Sequence, residues 1–530
     1  MNPTDGQRRT APVQAFGELT EGLRLDELAR DLPMEAEIVG DASVRVRGVR
    51  HNSRGVEPGD LFVARPGSKV NGAAFVRDAV ARGAPAVMVA RGAVVASELP
   101  VPAIVVDDPA LGLAYAASTV YGHPSFSMEV VGVTGTNGKT TVVHLVRAAI
   151  DGALGTTACG VLGTVGYRFG DWSRAAEHTT PEADEVARAL AEFRRRGATH
   201  VAMEVSSHAL EMSRVRGVQI RVAALTNLTQ DHLDFHGSMG AYAEAKARLF
   251  TELGPASAVL NVDDAFGREL VGRVKAPVVR VSARREATAA DAEVSPRDVH
   301  VDAKGIRATV RTPSGEVRLE SRLVGAHNLE NLLVALGIAC ALDLDVGLAA
   351  AALSREPGAP GRLERCDHEA DDIIVLVDYA HTPDALARVL DAARAALIGS
   401  GAGRLWCVFG CGGDRDRAKR GLMGEAVARR ADVTVVTSDN PRTEDPSAIA
   451  AAVVAGIHGA GVEPVVELDR RRAIEFAVGA ASLGDVVVLA GKGHEAYQQV
   501  GNVKHPFDDR EEAHRALENR RRAKRADGGR

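Results

Sequence analysis

The sequence predicts an α/β protein built from three domains. Its 530 residues correspond to about three domains of typical size, and short runs rich in Val and Ile alternate with helical patterns. The pattern of strand-like and helical segments changes near Met128 and again after Pro357. We therefore expect a small mixed α/β N-terminal domain, a central parallel-sheet domain and a C-terminal doubly wound domain. The predicted ranges are a flexible extension at 1–16, the three domains at 17–126, 127–355 and 356–515, and a basic tail at 516–530.

Composition excludes several classes of function. The net charge is −6 and aromatic residues make up only 4%, so neither a general nucleic-acid surface nor a stacking platform is expected. No stretch reaches the roughly 18 apolar residues needed to span a bilayer, and the five cysteines form no CxxC pair. We expect a cytoplasmic protein without nucleic-acid partners or membrane insertion. The basic tail is expected to be a solvated, frayed terminus.

The N-terminal domain contains short strands but no pairing of a nucleophile with a base. Strand-like runs lie within 44–53, 59–67, 84–90 and 102–108. Short strands without a nucleophile and base pair predict a domain that binds a substrate.

The central domain opens with a strand, a glycine-rich turn and a helix from about Lys139 to Ile150. A loop of this kind, here Gly132–Thr141, points backbone N–H groups at phosphate oxygens. Lys139 would reach the terminal phosphates, and Thr140 would hold Mg²⁺. Val133 occupies the first glycine position of the strict GxxxxGK[ST] pattern. The context still predicts a nucleoside triphosphate site and a P-loop ATPase-like domain.

The sequence pattern alone leaves the roles of several further residues in the central domain open. Glu204 follows a strand and His232 lies in a polar loop, and each is either a Mg²⁺ ligand or an ordinary polar residue. Lys246 lies in a helical stretch and is expected to be solvated. His327, Asn328 and Asn331 are either functional or part of a helix N-terminus.

In the C-terminal domain, four strand-like runs are each followed by a polar turn. The runs are 373–377, 405–409, 433–436 and 486–489, and the turns are 378–384, 410–416, 438–444 and 491–495. Ligands of open α/β sheets bind outside the carboxyl ends of the strands, so the turns should converge on one crevice of a Rossmann-like domain. Arg415, Arg442 and Glu495 would suit a zwitterion there, although a surface ion-pair cluster is the alternative.

Ten motifs in order resemble the Mur ligases, most closely the type that adds diaminopimelate. The resemblance covers the chain from about Val49 to Ala513. The spacing of the phosphate loop is the form that this family uses. The motifs are 132–141, 204–210, 226–237, 242–250, 325–333, 360–364, 378–386, 410–420, 438–442 and 491–495.

The resemblance implies an ATP-dependent, ADP-forming amide ligase of peptidoglycan precursor synthesis. It would join meso-2,6-diaminopimelate to the γ-carboxylate of D-Glu in UDP-N-acetylmuramoyl-L-Ala-D-Glu through an acyl phosphate. Two Mg²⁺ ions and a CO₂-derived carbamate on Lys246 are implied as cofactors, and we expect a monomer. The DNPR turn at 439–442 favours diaminopimelate over lysine.

The resemblance also assigns site residues. Catalysis and metal binding would use Lys139, Thr140, Glu204, His232 and carbamylated Lys246. ATP would contact Gly135, Thr136, Asn137, Gly138, Lys139, Thr140, Thr141, Asn331, Arg362 and Asp378. The UDP-muramoyl dipeptide would contact Ser53, Ser68, Lys69, Val70, Thr179, Thr180, Ser206 and Arg214. Diaminopimelate would contact Arg415, Asp439, Asn440, Pro441, Arg442, Gly491 and Glu495.

The match departs from the family pattern at three places. His178 stands where Asn is frequent, Met212 stands where Gln is frequent, and Ser68–Val70 differs from the common sequence. Three other functions stay open: a lysine-adding ligase of the same family, a folylpolyglutamate synthetase-like ligase, and a P-loop switch ATPase that moves a partner.

Overall fold

The structure is a computed structural model of the chain. It describes residues 22–67, 71–93, 98–288, 290–302, 305–368, 370–398, 403–458 and 463–527. The predicted extension 1–16 and the predicted contacts Ser68, Lys69 and Val70 lie outside the described residues. Three α/β units follow one another along the chain, which confirms the predicted fold class.

The first unit is a five-stranded sheet in the order β2-β7-β6-β5-β4, with β2 antiparallel and the other strands parallel. The short strands β1 and β3 form a separate antiparallel pair. The strands are β1 (Leu23–Arg24), β2 (Ala36–Val39), β3 (Arg45–Val46), β4 (Gly48–Arg50), β5 (Asp60–Ala64), β6 (Ala86–Ala90) and β7 (Ala103–Val106). The helices are α1 (Leu25–Asp31), α2 (Val76–Ala81) and α3 (Pro109–Val120).

The second unit is an eight-stranded sheet in the order β11-β10-β9-β12-β8-β13-β14-β15. Its strands are β8 (Glu129–Thr134), β9 (Cys159–Gly163), β10 (Gly166–Phe169), β11 (Trp172–Arg174), β12 (His200–Glu204), β13 (Val222–Leu225), β14 (Ser257–Asn261) and β15 (Val278–Val281). Strand β10 pairs antiparallel with both β9 and β11, and all other pairings in this sheet are parallel.

Among its described residues this unit has eight α-helices: α4 (Lys139–Leu154), α5 (Ala183–Arg195), α6 (Ser207–Glu211), α7 (Leu233–His236), α8 (Met239–Thr251), α9 (Ala265–Val271), α10 (Ala326–Ala341) and α11 (Val346–Arg355). A separate antiparallel sheet of β16 (Ser295–Asp302), β17 (Gly305–Thr312) and β18 (Gly315–Ser321) packs against the same core. The sequence patterns did not reveal this small sheet.

The register of the large sheet positions the phosphate loop. Strand β8 lies between β12 and β13, with Glu204 opposite Val133 and Leu225 opposite Thr134. The residues that follow β12 and β13 therefore flank the turn that follows β8. Both faces of the sheet are covered by apolar clusters, as expected for a parallel sheet.

The third unit is a six-stranded sheet in the order β19-β20-β24-β21-β22-β23, and its four long parallel strands confirm the predicted runs. The strands are β19 (Glu364–Arg365), β20 (Ile374–Asp378), β21 (Leu405–Phe409), β22 (Val433–Val436), β23 (Val465–Val466) and β24 (Val486–Ala490), followed by the hairpin β25 (Tyr497–Val500) and β26 (Val503–Pro506). The helices are α12 (Pro383–Ile398), α13 (Lys419–Ala428), α14 (Pro446–His458), α15 (Arg470–Ala480) and α16 (Asp509–Asp527).

The basic tail is ordered as part of α16, so the expectation of a frayed terminus is wrong for residues up to Asp527. Arg520 donates to both carboxylate oxygens of Asp372, over 2.9 and 2.7 Å. Arg521 makes the same fork with Asp371, over 2.6 and 2.9 Å. The helix continues because acidic partners lie opposite its basic face. Across the described ranges, no helix is both long and apolar enough to cross a membrane.

Candidate active site

Two glycines let the phosphate loop turn tightly between β8 and α4. Gly135 and Gly138 have φ of 149° and 85°, in the region that favours glycine. A Cβ on Gly135 would lie 1.9 Å from Thr226 Oγ1, and one on Gly138 would lie 2.5 Å from Asn331 Oδ1. The predicted nucleotide contact Asn331 therefore packs against the loop itself.

Residues after β13 hold the loop in place. Thr226 Oγ1 donates to Asn137 O over 2.6 Å, and Asn137 N donates to Asn227 Oδ1 over 3.0 Å. Thr229 N donates to Thr136 Oγ1 over 2.9 Å. Sequence reasoning missed Thr226, Asn227 and Thr229 as supports of the loop. Their place in the motif at 226–237 was the available signal.

Lys139 folds back onto its own loop. Its Nζ donates to the carbonyl oxygens of Gly135 and Thr136, over 2.8 and 3.0 Å. Burial lowers the pKa of Lys139, and the nearby Glu204 carboxylate opposes that shift. An anion placed in the loop would offer this ammonium a stronger partner than two neutral carbonyls.

Thr140 and Glu204 present oxygen atoms side by side. Thr140 Oγ1 donates to Glu204 Oε2 over 3.0 Å, and Thr164 N donates to Glu204 Oε1 over 2.7 Å. Glu204 is only 1% exposed. In the described part of the chain, no group of three or more His, Cys, Asp or Glu side chains is arranged to hold a metal. One carboxylate and one hydroxyl fit Mg²⁺, which takes its remaining ligands from water and phosphate.

Lys246 is buried, so the expectation of a solvated helix lysine is wrong. Helix α8 turns this side chain inward together with Tyr242 and Leu249. Lys246 Nζ donates to Gly135 O over 2.9 Å and lies 4.5 Å from the centre of the Tyr242 ring. Burial, and then the charge of Lys139, hold the pKa of Lys246 well below its ordinary value. The amine is therefore poised to be neutral and nucleophilic.

His232 lies at the margin of this group. Its side chain is about half exposed, and its ring stands edge-on to His208 at 4.9 Å and to Tyr242 at 6.1 Å. The Tyr242 hydroxyl lies 3.2 Å from Thr136 Oγ1, so Tyr242 connects His232 to the phosphate loop. The imidazole is accessible to a ligand.

A larger cavity of about 780 Å³ lies between the phosphate loop and the C-terminal domain. Thr136 to Thr141 line one wall, and Arg362, Tyr379, His494 and Tyr497 line the other. Asp378, predicted to contact nucleotide, accepts hydrogen bonds from Leu363 N at 2.8 Å and Ala380 N at 2.7 Å. Its pKa is raised by burial. In this conformation Asp378 shapes the wall behind Arg362.

A smaller cavity of about 240 Å³ lies at the carboxyl ends of the C-terminal strands. All four predicted polar turns line it, which confirms that they converge on one crevice. Six of the seven predicted amino-acid contacts are among the lining residues: Arg415, Asp439, Asn440, Arg442, Gly491 and Glu495. The seventh, Pro441, lies between them in the chain, and its carbonyl accepts a hydrogen bond from Glu444 N.

The smaller cavity carries charges of both signs. Arg442 has φ of 51° and donates to Gly413 O over 2.6 Å, whereas Arg415 is exposed at the rim. Glu495 accepts a hydrogen bond from Asn440 Nδ2 over 3.0 Å. Sequence reasoning missed Lys492, whose buried Nζ lies 3.2 Å from Asp439 Oδ1 and donates to Asn440 Oδ1 over 3.1 Å. Its place within the motif at 491–495 was the available signal.

The predicted dipeptide contacts meet near the boundary with the N-terminal domain. Thr180 Oγ1 accepts from Ser206 N over 3.0 Å, and Arg214 donates to Thr180 O over 3.0 Å. Glu182 bridges Arg214 and Arg65 of the first domain, each at 2.8 Å. A second link joins His51 of the first domain to Asp184 at 2.7 Å.

The remaining predicted contacts lie around this boundary and the larger cavity. Ser53 is buried two residues after His51, and Thr179 lines the larger cavity. Of the residues that depart from the family pattern, His178 also lines that cavity. Met212 is exposed, and its sulfur accepts a hydrogen bond from the Arg214 guanidinium over 3.6 Å.

Comparison with known families matches three segments of the chain. Residues 45–121 match the Mur ligase family catalytic domain, residues 133–339 the Mur ligase middle domain, and residues 361–493 the Mur ligase glutamate ligase domain. Together these segments span most of the chain.

Curated relatives and a solved structure agree with this match. A relative from Gloeobacter violaceus, named UDP-N-acetylmuramoyl-L-alanyl-D-glutamate–2,6-diaminopimelate ligase, is 45% identical over 508 residues, which are 94% of this chain and 99% of the relative. A relative of the same name from Pseudomonas syringae is 46% identical over 90% of this chain and 96% of its own. A solved structure with that name superposes with a TM-score of 0.68 at 34% identity, covering 94% of this chain and 99% of the other. The chain belongs to the Mur ligase family of ATP-dependent, ADP-forming ligases.

Proposed function

We propose that this ligase adds meso-2,6-diaminopimelate to the γ-carboxylate of D-Glu in UDP-N-acetylmuramoyl-L-Ala-D-Glu, a cytoplasmic step of peptidoglycan precursor synthesis. The observation that carries the proposal is that the two cavities adjoin. Tyr379 and Glu495 line both the larger cavity beside the phosphate loop and the smaller cavity of the C-terminal domain. An activated carboxylate formed in the first would therefore lie next to an amino acid held in the second.

The reaction requires activation because carboxylate and ammonium do not condense in water. The substrate γ-carboxylate attacks the γ-phosphorus of ATP, which gives an acyl phosphate and releases ADP. The deprotonated amine of the amino acid then attacks the acyl carbon, and phosphate leaves. Lys139 and the loop amides offset charge on the transferring phosphoryl group.

Thr140 and Glu204 would hold one Mg²⁺, and His232 with carbamylated Lys246 would hold a second. When bound, these ions would neutralise phosphate charge and increase the electrophilicity of phosphorus. Lys246 fits carbamylation because a neutral amine can add to CO₂, and the carbamate supplies the anionic oxygen ligands that a hard cation accepts. Unmodified Lys246 has no such oxygen, so this residue would join the site only after modification.

Charge in the smaller cavity favours diaminopimelate over lysine. Arg415 and Arg442 would pair with the distal carboxylate, which lysine lacks, while Glu495 and the backbone at Gly491 would hold the ammonium. Lysine would leave guanidinium charge without its partner, at a cost of about 2–5 kcal/mol. This corresponds to discrimination of about 30-fold or more.

A phosphate-release assay tests the proposal. The protein is given ATP, Mg²⁺ and the UDP-muramoyl dipeptide, with either meso-diaminopimelate or lysine. We expect phosphate release only when every substrate is present and a strong preference for meso-diaminopimelate. A preference for lysine would reassign the amino acid, release without any amino acid would indicate a switch ATPase, and turnover of a folate substrate in place of the UDP-muramoyl dipeptide would indicate a folylpolyglutamate synthetase-like ligase.

A further inference from the structure

A fully buried lysine lies behind the lining of the smaller cavity. The side chain of Lys492 is 0% exposed, and burying an ammonium is costly unless other groups replace its hydration. Three residues that line the cavity do so here. Lys492 Nζ donates to Asp439 Oδ1 over 3.2 Å and to Asn440 Oδ1 over 3.1 Å. It also lies 3.7 Å from Glu495 Oε2. The ammonium therefore contacts the cavity lining from the protein side.

Lys492 fixes the orientation of the Asn440 amide. An ammonium and a backbone N–H can only donate, so the amide oxygen must face them. Asn440 Oδ1 accepts from Lys492 Nζ and, over 2.8 Å, from Gln499 N, which occupies both of its lone pairs. The amide nitrogen then points the other way and donates to Glu495 Oε2 over 3.0 Å. This chain of contacts sets where the Glu495 carboxylate meets the cavity.

Glu495 suits the amine of the amino acid that does not react. An attacking amine must be deprotonated, whereas a carboxylate partner favours the protonated form. Diaminopimelate carries two amines, so the one held by Glu495 would be the distal one. In the proposed function, Arg415 and Arg442 pair with the carboxylate at the same end of the molecule. The position of Glu495 relative to these guanidinium groups therefore decides whether both distal charges are matched.

We propose that Lys492 is a positioning residue for the recognition of meso-diaminopimelate. Through the Asn440 amide, it holds Glu495 where the distal ammonium binds. The inference rests on the proposed function for the identity of the amino acid. An apolar side chain of similar length could fill the same volume, often without loss of stability, but it could not orient Asn440.

A substrate analogue tests the proposal on the full chain. 2-Aminopimelate keeps both carboxylates and one amine of diaminopimelate but lacks the second ammonium. The KM for meso-diaminopimelate is compared with the inhibition constant of 2-aminopimelate as its competitor. We expect the wild type to favour meso-diaminopimelate by about 10- to 100-fold, because a hydrogen bond between charged groups is lost with the analogue.

Lys492→Met removes the ammonium and keeps the length of the side chain. We expect the KM for meso-diaminopimelate to rise about 10-fold. The inhibition constant of 2-aminopimelate and the dissociation constant of ADP should each change by less than about 2-fold, because neither ligand uses Glu495. The preference for meso-diaminopimelate should therefore fall by about 5-fold or more. Lys275→Met makes the same change at an exposed lysine and is the matched control.

Two further backgrounds isolate the role of Lys492. In Asn440→Ala, adding Lys492→Met should lower the preference no further, because Lys492 acts through that amide. In Asp439→Asn, adding Lys492→Met removes both charges of the closest buried contact, so the loss of preference can be measured without the unpaired Asp439 carboxylate. We expect the same 5-fold fall there, and this comparison decides the outcome if Lys492→Met alone does not fold.

An unchanged preference after the loss of Lys492, with meso-diaminopimelate still used, would overturn the inference and leave the proposed function intact. Equal increases in the KM for meso-diaminopimelate and in the inhibition constant of 2-aminopimelate, with a lower melting temperature, would also overturn it, in favour of a structural role. A wild type that does not use meso-diaminopimelate would overturn both proposals.

Discussion

The Thr140 hydroxyl donates a hydrogen bond to Glu204 Oε2 over 3.0 Å, joining the first turn of α4 to the end of β12. These oxygens lie beside each other because β12 pairs in register with β8, whose carboxyl end leads into the phosphate loop. The buried Glu204 carboxylate also accepts a hydrogen bond from Thr164 N, and a Mg²⁺ ion bound here would take a carboxylate oxygen as a ligand.

Replacing Glu204 by Gln should reduce kcat by about 100-fold or more, because the change removes a fixed negative charge from the proposed Mg²⁺ site. The amide oxygen can still accept the hydrogen bond from Thr164 N, so we expect an unchanged melting temperature. The measurement is phosphate release as a function of Mg²⁺ concentration. Glu316→Gln, at an exposed position on β18, is the control. A normal Mg²⁺ titration in Glu204→Gln would remove this residue from the metal site.

Activity should depend on CO₂ through Lys246. Since the pKa of Lys246 is lowered, its amine is neutral at pH values where an ordinary lysine is charged, and it becomes protonated as the pH falls through that lowered pKa. Only the neutral amine forms the carbamate, so activity should fall on acidification and after exchange into CO₂-free buffer. Added bicarbonate should restore it.

Carbon-13 NMR with labelled bicarbonate measures this modification directly. A carbamate resonance should be present in the wild type, absent in Lys246→Met, and retained in Lys275→Met, which alters an exposed lysine. Full activity of Lys246→Met without CO₂ would contradict the prediction.

Arg442→Ala should raise the KM for meso-diaminopimelate by about 30-fold or more while the affinity for ADP is retained, because it removes a cation that would pair with the distal carboxylate. Arg442 has a left-handed backbone, which Asn tolerates better than Ala, so Arg442→Asn should give the same KM with less loss of stability. Arg429→Ala, on the outer surface after α13, is the control. An unchanged KM in both Arg442 variants would refute the assignment.

The buried ion pair of Arg470 and Asp509 should be a main support of the C-terminal domain. Both side chains are fully buried, and the guanidinium makes two hydrogen bonds to the carboxylate, over 2.7 and 2.6 Å. Asp509→Ala leaves an unpaired buried charge and should destabilise this domain by about 3–5 kcal/mol. Glu518→Ala breaks an exposed pair with Arg522 on the same helix and should cost under about 1 kcal/mol. Urea unfolding of both variants tests the difference, and equal midpoints would contradict it.

Local patterns were sufficient for the phosphate loop and for the long buried strands and polar turns of the C-terminal domain. A buried strand is recognisable because its apolar run is continuous, and a turn that follows it must lie at the carboxyl edge of the sheet. The convergence of Arg415, Arg442 and Glu495 on one cavity followed from that rule alone. The domain boundaries and individual ligand contacts stay predictions.

The sequence by itself determined the order of motifs, and with it the three-domain fold and the family. Tertiary structure decided which side chains are buried and which groups they contact. Lys246 is buried because α8 packs against the phosphate loop, and Lys492 contacts the carboxylate of Asp439, 53 positions earlier in the chain. It also decided that Arg520 docks onto Asp372 and that His494 meets Arg362 across Tyr379. The physical reason is that the charge state and role of a side chain depend on neighbours brought by packing, and those neighbours are distant in the chain.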